Sequence, residues 1–236
     1  MELNKIYNMD CLEGLKQLED NSVDCVITYP PYNISRNTNF KCGLKGRNGM
    51  DFGEWDKGFP ITEFIKELPR VLKKGSNVII FNAWENLGDI ATQMKEVGIE
   101  PKRCLIYQKI NPAPFNMNRL FTNTCEYIVW GVYGENWTFN NDGLENGVFL
   151  TTVQDKTLHP TMKDIKIIKK LISVLSNSND VILDCFMGSG TTAVACKELG
   201  RNYIGFELNK GYCKIAEDRL EKTAPMVKKS LLDFGK

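Results

Sequence analysis

The run Val181-Ile182-Leu183-Asp184-Cys185-Phe186-Met187-Gly188-Ser189-Gly190-Thr191-Thr192 constrains the fold of this chain more than any other stretch. Its apolar start reads as a short buried strand, its two glycines permit a tight turn with close backbone approach to a ligand, and Thr191–Leu199 continues as a helix. A strand feeding a glycine turn and a helix is the repeating unit of a parallel α/β sheet, with the ligand crevice at the strand's carboxyl end. The turn lacks the Gly-Lys-Ser/Thr ending of a P-loop, which argues against a triphosphate ligand. Glu207, at the end of the following strand Tyr203-Ile204-Gly205-Phe206-Glu207, stands seventeen residues past Gly190. An acid so placed is the usual partner of ribose hydroxyls. Asp184, Gly188, Gly190 and Glu207 are therefore candidate nucleotide-cofactor residues.

Elsewhere the pattern alternates in the same way. Apolar and β-branched runs bounded by turn residues predict strands at Lys5–Asn8, Asp24–Thr28, Asn77–Asn82, Arg103–Gln108, Tyr127–Tyr133, Val181–Cys185 and Tyr203–Glu207. Helical periodicity marks Ile61–Leu72, Leu87–Val97, Ile165–Leu175, Thr191–Leu199 and Gly211–Glu221. The expectation is an α/β fold with a seven-stranded, mostly parallel sheet covered on both faces. Thr122–Thr152 breaks the alternation, since strand-like stretches flank Gly134-Glu135-Asn136 without a helix, and an antiparallel hairpin at the sheet edge is expected there. Asn33–Phe59 is Gly- and Asn-rich without periodicity, which in a compact domain suggests a functional or disordered loop.

At 236 residues the chain accommodates one substantial core, so residues 1–236 are expected to form a single domain. Its start has no signal-peptide pattern and no apolar run approaches membrane-spanning length, which predicts a cytoplasmic protein. Eight cysteines without a C-x-x-C pair give no zinc-ligand spacing, and no metal is expected. Thirty basic residues against twenty-nine acidic ones leave a formal charge of +1, so any nucleic-acid surface must be local. One window stands out. Between Asn33 and Met50 the chain carries Arg36, Lys41, Lys45 and Arg47 with no acid, a pattern that fits either a solvated loop or a polyanion contact.

A second chemical signal is Val23-Asp24-Cys25-Val26-Ile27-Thr28-Tyr29-Pro30-Pro31-Tyr32-Asn33, a hydrophobic strand ending in two prolines and an aromatic. The prolines fix the backbone. Rigid carbonyls at such a strand end can accept hydrogen bonds from an amino group, and the Tyr32 ring can stack on a base.

Together the two motifs resemble the DNA amino-methyltransferases that act on adenine N6 or cytosine N4. The family's catalytic tetrad is (Asp/Asn/Ser)-Pro-Pro-(Tyr/Phe/Trp), matched here by Tyr29-Pro30-Pro31-Tyr32, and its cofactor motif follows the Phe-x-Gly-x-Gly pattern of Phe186–Gly190. The tetrad precedes the cofactor motif, an order similar to the β-class circular permutation. Asp51-Phe52-Gly53-Glu54-Trp55-Asp56 and His159-Pro160-Thr161 also look like β-class elements, so the likeness extends over most of the chain. The resemblance implies a permuted Rossmann-like methyltransferase fold that binds S-adenosylmethionine through Asp10, Cys11, His159, Thr161, Asp184, Phe186, Gly188, Ser189, Gly190, Thr191 and Glu207. It implies that the strands before Pro30 and Gly188 lie side by side at the switch point of the sheet, and that the substrate base is flipped or single-stranded. DNA is the implied partner, with a restriction-modification setting in which a cognate endonuclease or a second copy of the chain would be further partners. The loop 33–60 and a small target-recognition segment near 111–126, which carries Arg119, are the candidate DNA contacts.

Two positions depart from the family, the first of them in the tetrad. Tyr29 stands where Asp, Asn or Ser accepts a hydrogen bond from the target amino group, and a neutral, bulky phenol is a poorer acceptor. The leading account is an impaired methyltransferase for adenine N6, with cytosine N4 as the alternative target; an inert DNA-binding protein that retains the fold stays open, and methylation of RNA or protein is disfavoured by the Asp51–Asp56 and His159 resemblances. Cys185, where proline is frequent, is a milder change. For the basic loop, replacing two of its four cationic residues by Ala is expected to weaken binding to every DNA sequence and to flatten the salt dependence by about two units, at roughly 0.9 per phosphate contact. An unchanged slope would remove the loop from the interface.

Overall fold

The computed structural model describes residues 1–34, 58–112, 121–141, 143, 145–153 and 162–224, together with the backbone of 41–42 and 47–48. The main sheet has eight strands, β1 (Lys5–Tyr7), β2 (Val23–Thr28), β5 (Leu72–Asn82), β6 (Ile99–Lys109), β7 (Cys125–Tyr133), β8 (Val148–Thr151), β9 (Val181–Asp184) and β10 (Asn202–Phe206), in the order β1-β10-β9-β2-β5-β7-β6-β8. Two short strands, β3 (Lys41–Cys42) and β4 (Arg47–Asn48), pair antiparallel as a separate hairpin. Among the described residues, only the pairings of β7 with β5 and β6 are antiparallel within the main sheet.

Alternation along each central strand explains the layering. Val26, Val78, Ile80, Leu183 and Ile204 face one apolar cluster, and Ile27, Ile79, Phe81, Ile182 and Tyr203 face the other. The first cluster is completed by Leu15 of α1 (Cys11–Gln17), Phe64, Ile65 and Leu68 of α2 (Glu63–Val71), and Ile90 and Met94 of α3 (Leu87–Glu96). The second is completed by Ile168, Leu171 and Ile172 of α4 (Ile165–Leu175), Ala193 and Cys196 of α5 (Thr191–Leu199), and Cys213 and Ala216 of α6 (Lys210–Glu221). Strands apolar on both faces, with helices on each side, form the expected three-layer α/β architecture.

Chain direction at the centre positions the site. β9 leads through α5 to β10 on one side, and β2 leads through α2 to β5 on the other, so the two units diverge from the β9–β2 seam. That seam is parallel, with Cys25 opposite Ile182 and Val26 opposite Leu183. The two motif-bearing strand ends are therefore neighbours at the switch point, the place where open α/β sheets bind ligands.

Two local expectations need correction, and one helix is new. The sheet has eight strands rather than seven, because Val148–Thr151 pairs parallel to β6. The edge hairpin does not form, since β7 lies between β5 and β6, with Ile128 and Val132 buried. After Tyr133 the chain leaves the sheet and is held by other contacts: Asn77 Nδ2 donates to the Thr138 carbonyl, Asn140 Nδ2 donates to the carbonyls of Ser173 and Ser176, and Phe139 stacks on Trp130. α1 went unanticipated although its signature is present: Asp10 Oδ1 accepts from the backbone N–H groups of Leu12 and Glu13, with Glu13 in the first turn. Among the described residues no helix is long and apolar enough to cross a membrane, and no cluster of His, Cys, Asp or Glu could hold a metal ion.

Gly190 shows how closely the layers meet. Its φ is +82°, and an added Cβ would lie 2.6 Å from the Ala216 Cβ on α6. Gly190→Ala combines left-handed strain with overpacking and is expected to cost about 2–5 kcal/mol. For a chain of this size that corresponds to a melting temperature lower by roughly 5–15 °C in a calorimetric scan, whereas an unchanged midpoint would contradict the packing described.

Candidate active site

A buried hydroxyl stitches the seam together. Thr28 Oγ1, at the end of β2, donates to Asp184 Oδ1 at 2.9 Å and accepts from the Cys185 N–H at 3.1 Å. Asp184 Oδ1 also accepts from the Phe186 N–H at 3.1 Å, and its Oδ2 accepts from Thr192 Oγ1 at 2.7 Å. One carboxylate thus fixes the end of β2, the start of the glycine turn and the first turn of α5. Burial pushes this carboxyl up to about 7, against the three hydrogen bonds that favour its ionised form.

Above the seam lies a cavity of about 650 Å³, within the usual range of small-molecule sites. At one end are Glu207, Leu208, Asn209 and Tyr212; at the other are Tyr29, Pro31, Met162 and Lys163; Phe186, Met187, Gly188 and Ser189 line the wall between. Gly188 has a φ of +53° and donates its N–H to Glu207 Oε2 at 2.8 Å, while Glu207 Oε1 accepts from the Asn209 N–H at 2.7 Å. Burial raises the Glu207 carboxyl, and those backbone donors oppose the rise. The glycine turn is held from behind by Arg219, which donates to the Ser189 carbonyl, to Ser189 Oγ at 3.2 Å and to Thr191 Oγ1 at 3.3 Å.

Of the expected cofactor residues, Asp10, Cys11, Phe186, Gly188, Ser189, Thr191 and Glu207 line this cavity. Two do not. Asp184 is fully buried behind the turn, and Gly190 serves the contact with Ala216. Their part is to shape the turn. Asp10 spends one oxygen on capping α1, and burial pushes the neighbouring Cys11 thiol up to about 12, so it is a neutral lining group. His159 and Thr161 lie outside the described residues, as do Arg36, Lys45 and Arg119. Lys41 and Arg47 are placed only as backbone, on β3 and β4.

Within the tetrad, Tyr29 and Pro31 line the cavity and Pro30 is buried beside them. The Tyr29 ring packs 4.6 Å from Phe81 between centroids, and its Oη lies 3.5 Å from Thr192 Oγ1. Burial, reinforced by Asp184, raises this phenol well above its ordinary value, so it is neutral. Tyr32 is outside the cavity lining, with its hydroxyl donating to Glu126 Oε2 at 2.8 Å. Thr28, Glu126, Lys163, Arg219 and Tyr212 were missed by sequence reasoning. Lys163 had one available signal, its place four residues after the singled-out His159.

A family model described as DNA methylase, covering N6 and N4 methyltransferases, matches residues 23–218. The type II methyltransferase M.HinfI of Haemophilus influenzae is 31% identical over 254 residues, spanning 94% of this chain and 70% of its own. The type II methyltransferase M2.LlaDCHI of Lactococcus lactis subsp. cremoris is 29% identical over 246 residues, spanning 93% and 90%. The crystal structure of an M1.HpyAVI–SAM complex superposes with a TM-score of 0.74 at 32% identity, covering 92% of this chain and 98% of that one. The chain belongs to this DNA methylase family.

The buried Asp184 gives a stability test whose sign is fixed. Its folded-state pKa of about 7 exceeds the ordinary 3.8, so between these values the folded chain keeps a proton that the unfolded chain releases, and stability falls as pH rises through that window. Asp184→Asn removes that contribution. From about pH 4.5 to 7.5 the urea midpoint of the unaltered protein is expected to fall relative to that of the variant, by an amount equivalent to a few kcal/mol. Parallel curves would show that Asp184 is already ionised when folded.

Proposed function

We propose that this chain binds S-adenosylmethionine in the switch-point cavity and presents DNA amino groups to it, with adenine N6 as the target and cytosine N4 as the second reading, in a restriction-modification setting with a cognate endonuclease. The observation that carries the proposal is the single cavity reaching from Glu207 to Tyr29 and Pro31. The cofactor supplies an electrophilic methyl on a sulfonium. The cavity fits it in donor set and shape: Glu207 at one end suits ribose hydroxyls, Tyr212 and Leu208 offer apolar cover for a base, and the tetrad closes the other end. The acceptor must then come to the carboxyl end of β2, which a base inside a duplex cannot reach.

The same geometry supports impairment at Tyr29. In the family this position offers a carboxylate, amide or hydroxyl acceptor to the amino group. Here the ring stands against Phe81, and the neutral hydroxyl is buried beside Thr192. The backbone carbonyls of the tetrad still provide acceptors, whereas the side chain contributes bulk. Slow or absent turnover with intact cofactor binding follows. The reading of an inert DNA-binding protein differs from it only in rate.

The rate of the unaltered chain separates the two, and Tyr29→Asp tests whether this residue is the lesion. With tritiated cofactor and DNA carrying many candidate sites, the variant is expected to transfer methyl at least about tenfold faster than the unaltered chain, equivalent to roughly 1.4 kcal/mol of barrier. Digestion to nucleosides then distinguishes N6-methyladenine from N4-methylcytosine. Equal rates would mean that Tyr29 is not the lesion.

A further inference from the structure

Lys163 alone among the described cavity-lining residues carries positive charge, and it sits at the tetrad end. Its side chain is 6% exposed. Its Nζ lies 5.5 Å from the centre of the Tyr29 ring, 5.2 Å from that of Tyr32 and 5.9 Å from that of Phe81. A methyl donor must bring its sulfonium to this same end, because the acceptor amino group arrives at the tetrad. A buried ammonium would oppose a second cation there.

The opposing charge comes from β7. Glu126 Oε2 lies 2.8 Å from Lys163 Nζ and accepts from the Tyr32 hydroxyl at 2.8 Å, while its Oε1 lies 2.5 Å from Lys109 Nζ. Burial alone would raise this carboxyl, yet Lys163 and Lys109 hold it down at about 2, so the carboxylate is ionised at any working pH. Glu126 thereby joins three segments distant in sequence: the tetrad through Tyr32, the approach to α4 through Lys163, and the end of β6 through Lys109.

We propose that Glu126 is a positioning residue that makes the tetrad end of the cavity able to accept a sulfonium, by neutralising Lys163 and holding it together with Tyr32 on the β7 side. This rests on S-adenosylmethionine being the cofactor. Glu126 need not touch that cofactor; it acts through Lys163. Two unit charges about 6 Å apart, at an effective dielectric near 20, repel strongly enough to change an affinity about a hundredfold if nothing relaxes. Lys109 is partly exposed and can turn toward solvent, whereas Lys163 is buried beside the tetrad, so a Glu126 variant removes one negative charge from the side of Lys163 that faces β7.

The test compares S-adenosylmethionine with S-adenosylhomocysteine, whose sulfur is neutral, by calorimetric titration of the full chain. Glu126→Gln is expected to weaken the sulfonium ligand at least about tenfold more than the thioether. Adding Lys163→Met to that variant is expected to restore the ratio of the two dissociation constants. Lys163→Met alone leaves a carboxylate with one cation fewer and is expected to shift the ratio the opposite way, which decides the matter even if Glu126→Gln fails to fold. Equal weakening of both ligands by Glu126→Gln, or an unmoved ratio in Lys163→Met, would make the network a packing device and overturn the proposal. Failure of the unaltered chain to bind either ligand would instead overturn the cofactor reading.

Discussion

The bond from Thr28 to Asp184 is the contact on which the rest of the site depends. β2 and β9 share a short parallel ladder, and their carboxyl ends must part to enter different loops. At that point the ladder runs out, and a side-chain hydroxyl and a carboxylate take over the work of backbone pairing. Because Asp184 also anchors Phe186 and Thr192, the proline turn and the glycine turn are held in fixed relation. A cavity bounded by both turns follows from that relation, and so does the adjacency of donor and acceptor that methyl transfer demands.

Against this fixed frame, the departure at position 29 has a defined physical meaning. The phenol neither unfolds the turn nor blocks Glu207 at the far end; it places an aromatic ring between Phe81 and Thr192 where the family has a short polar acceptor. On the proposed reading, stability and cofactor binding are separable from turnover. The electrostatics of the two ends are separable as well, since Glu207 is held by backbone donors and Lys163 by the carboxylate of Glu126.

The sheet, the switch point and most of the cofactor turn were legible because they rest on local patterns: apolar runs buried on both faces, glycines at positive φ, an acid at the next strand end. Asp184 was legible as important but not in its role, since a fully buried carboxylate and a ligand-facing one look alike in sequence. The contact of Gly190 with Ala216 was hidden for a similar reason, because Ala216 is 26 residues away on another helix. The place of β7 was hidden, because strand order is a tertiary property that residues 125–133 do not encode alone. The Glu126 network draws on residues 32, 109, 126 and 163, a separation across which no periodicity operates. His159 and the basic loop, apart from the backbone of 41–42 and 47–48, fall outside the described residues, so their roles stand as expectations from the sequence.

The claim at the centre of this account is that one cavity at the β9–β2 seam holds S-adenosylmethionine through Glu207 while Tyr29 leaves that binding intact. Titration of S-adenosylmethionine into the unaltered protein and into Glu207→Ala tests it directly. Saturable one-to-one binding is expected for the unaltered chain, with affinity at least about tenfold weaker in the variant, as for the loss of a charged hydrogen-bond acceptor. No binding by the unaltered chain, or equal affinity in the two proteins, would contradict it.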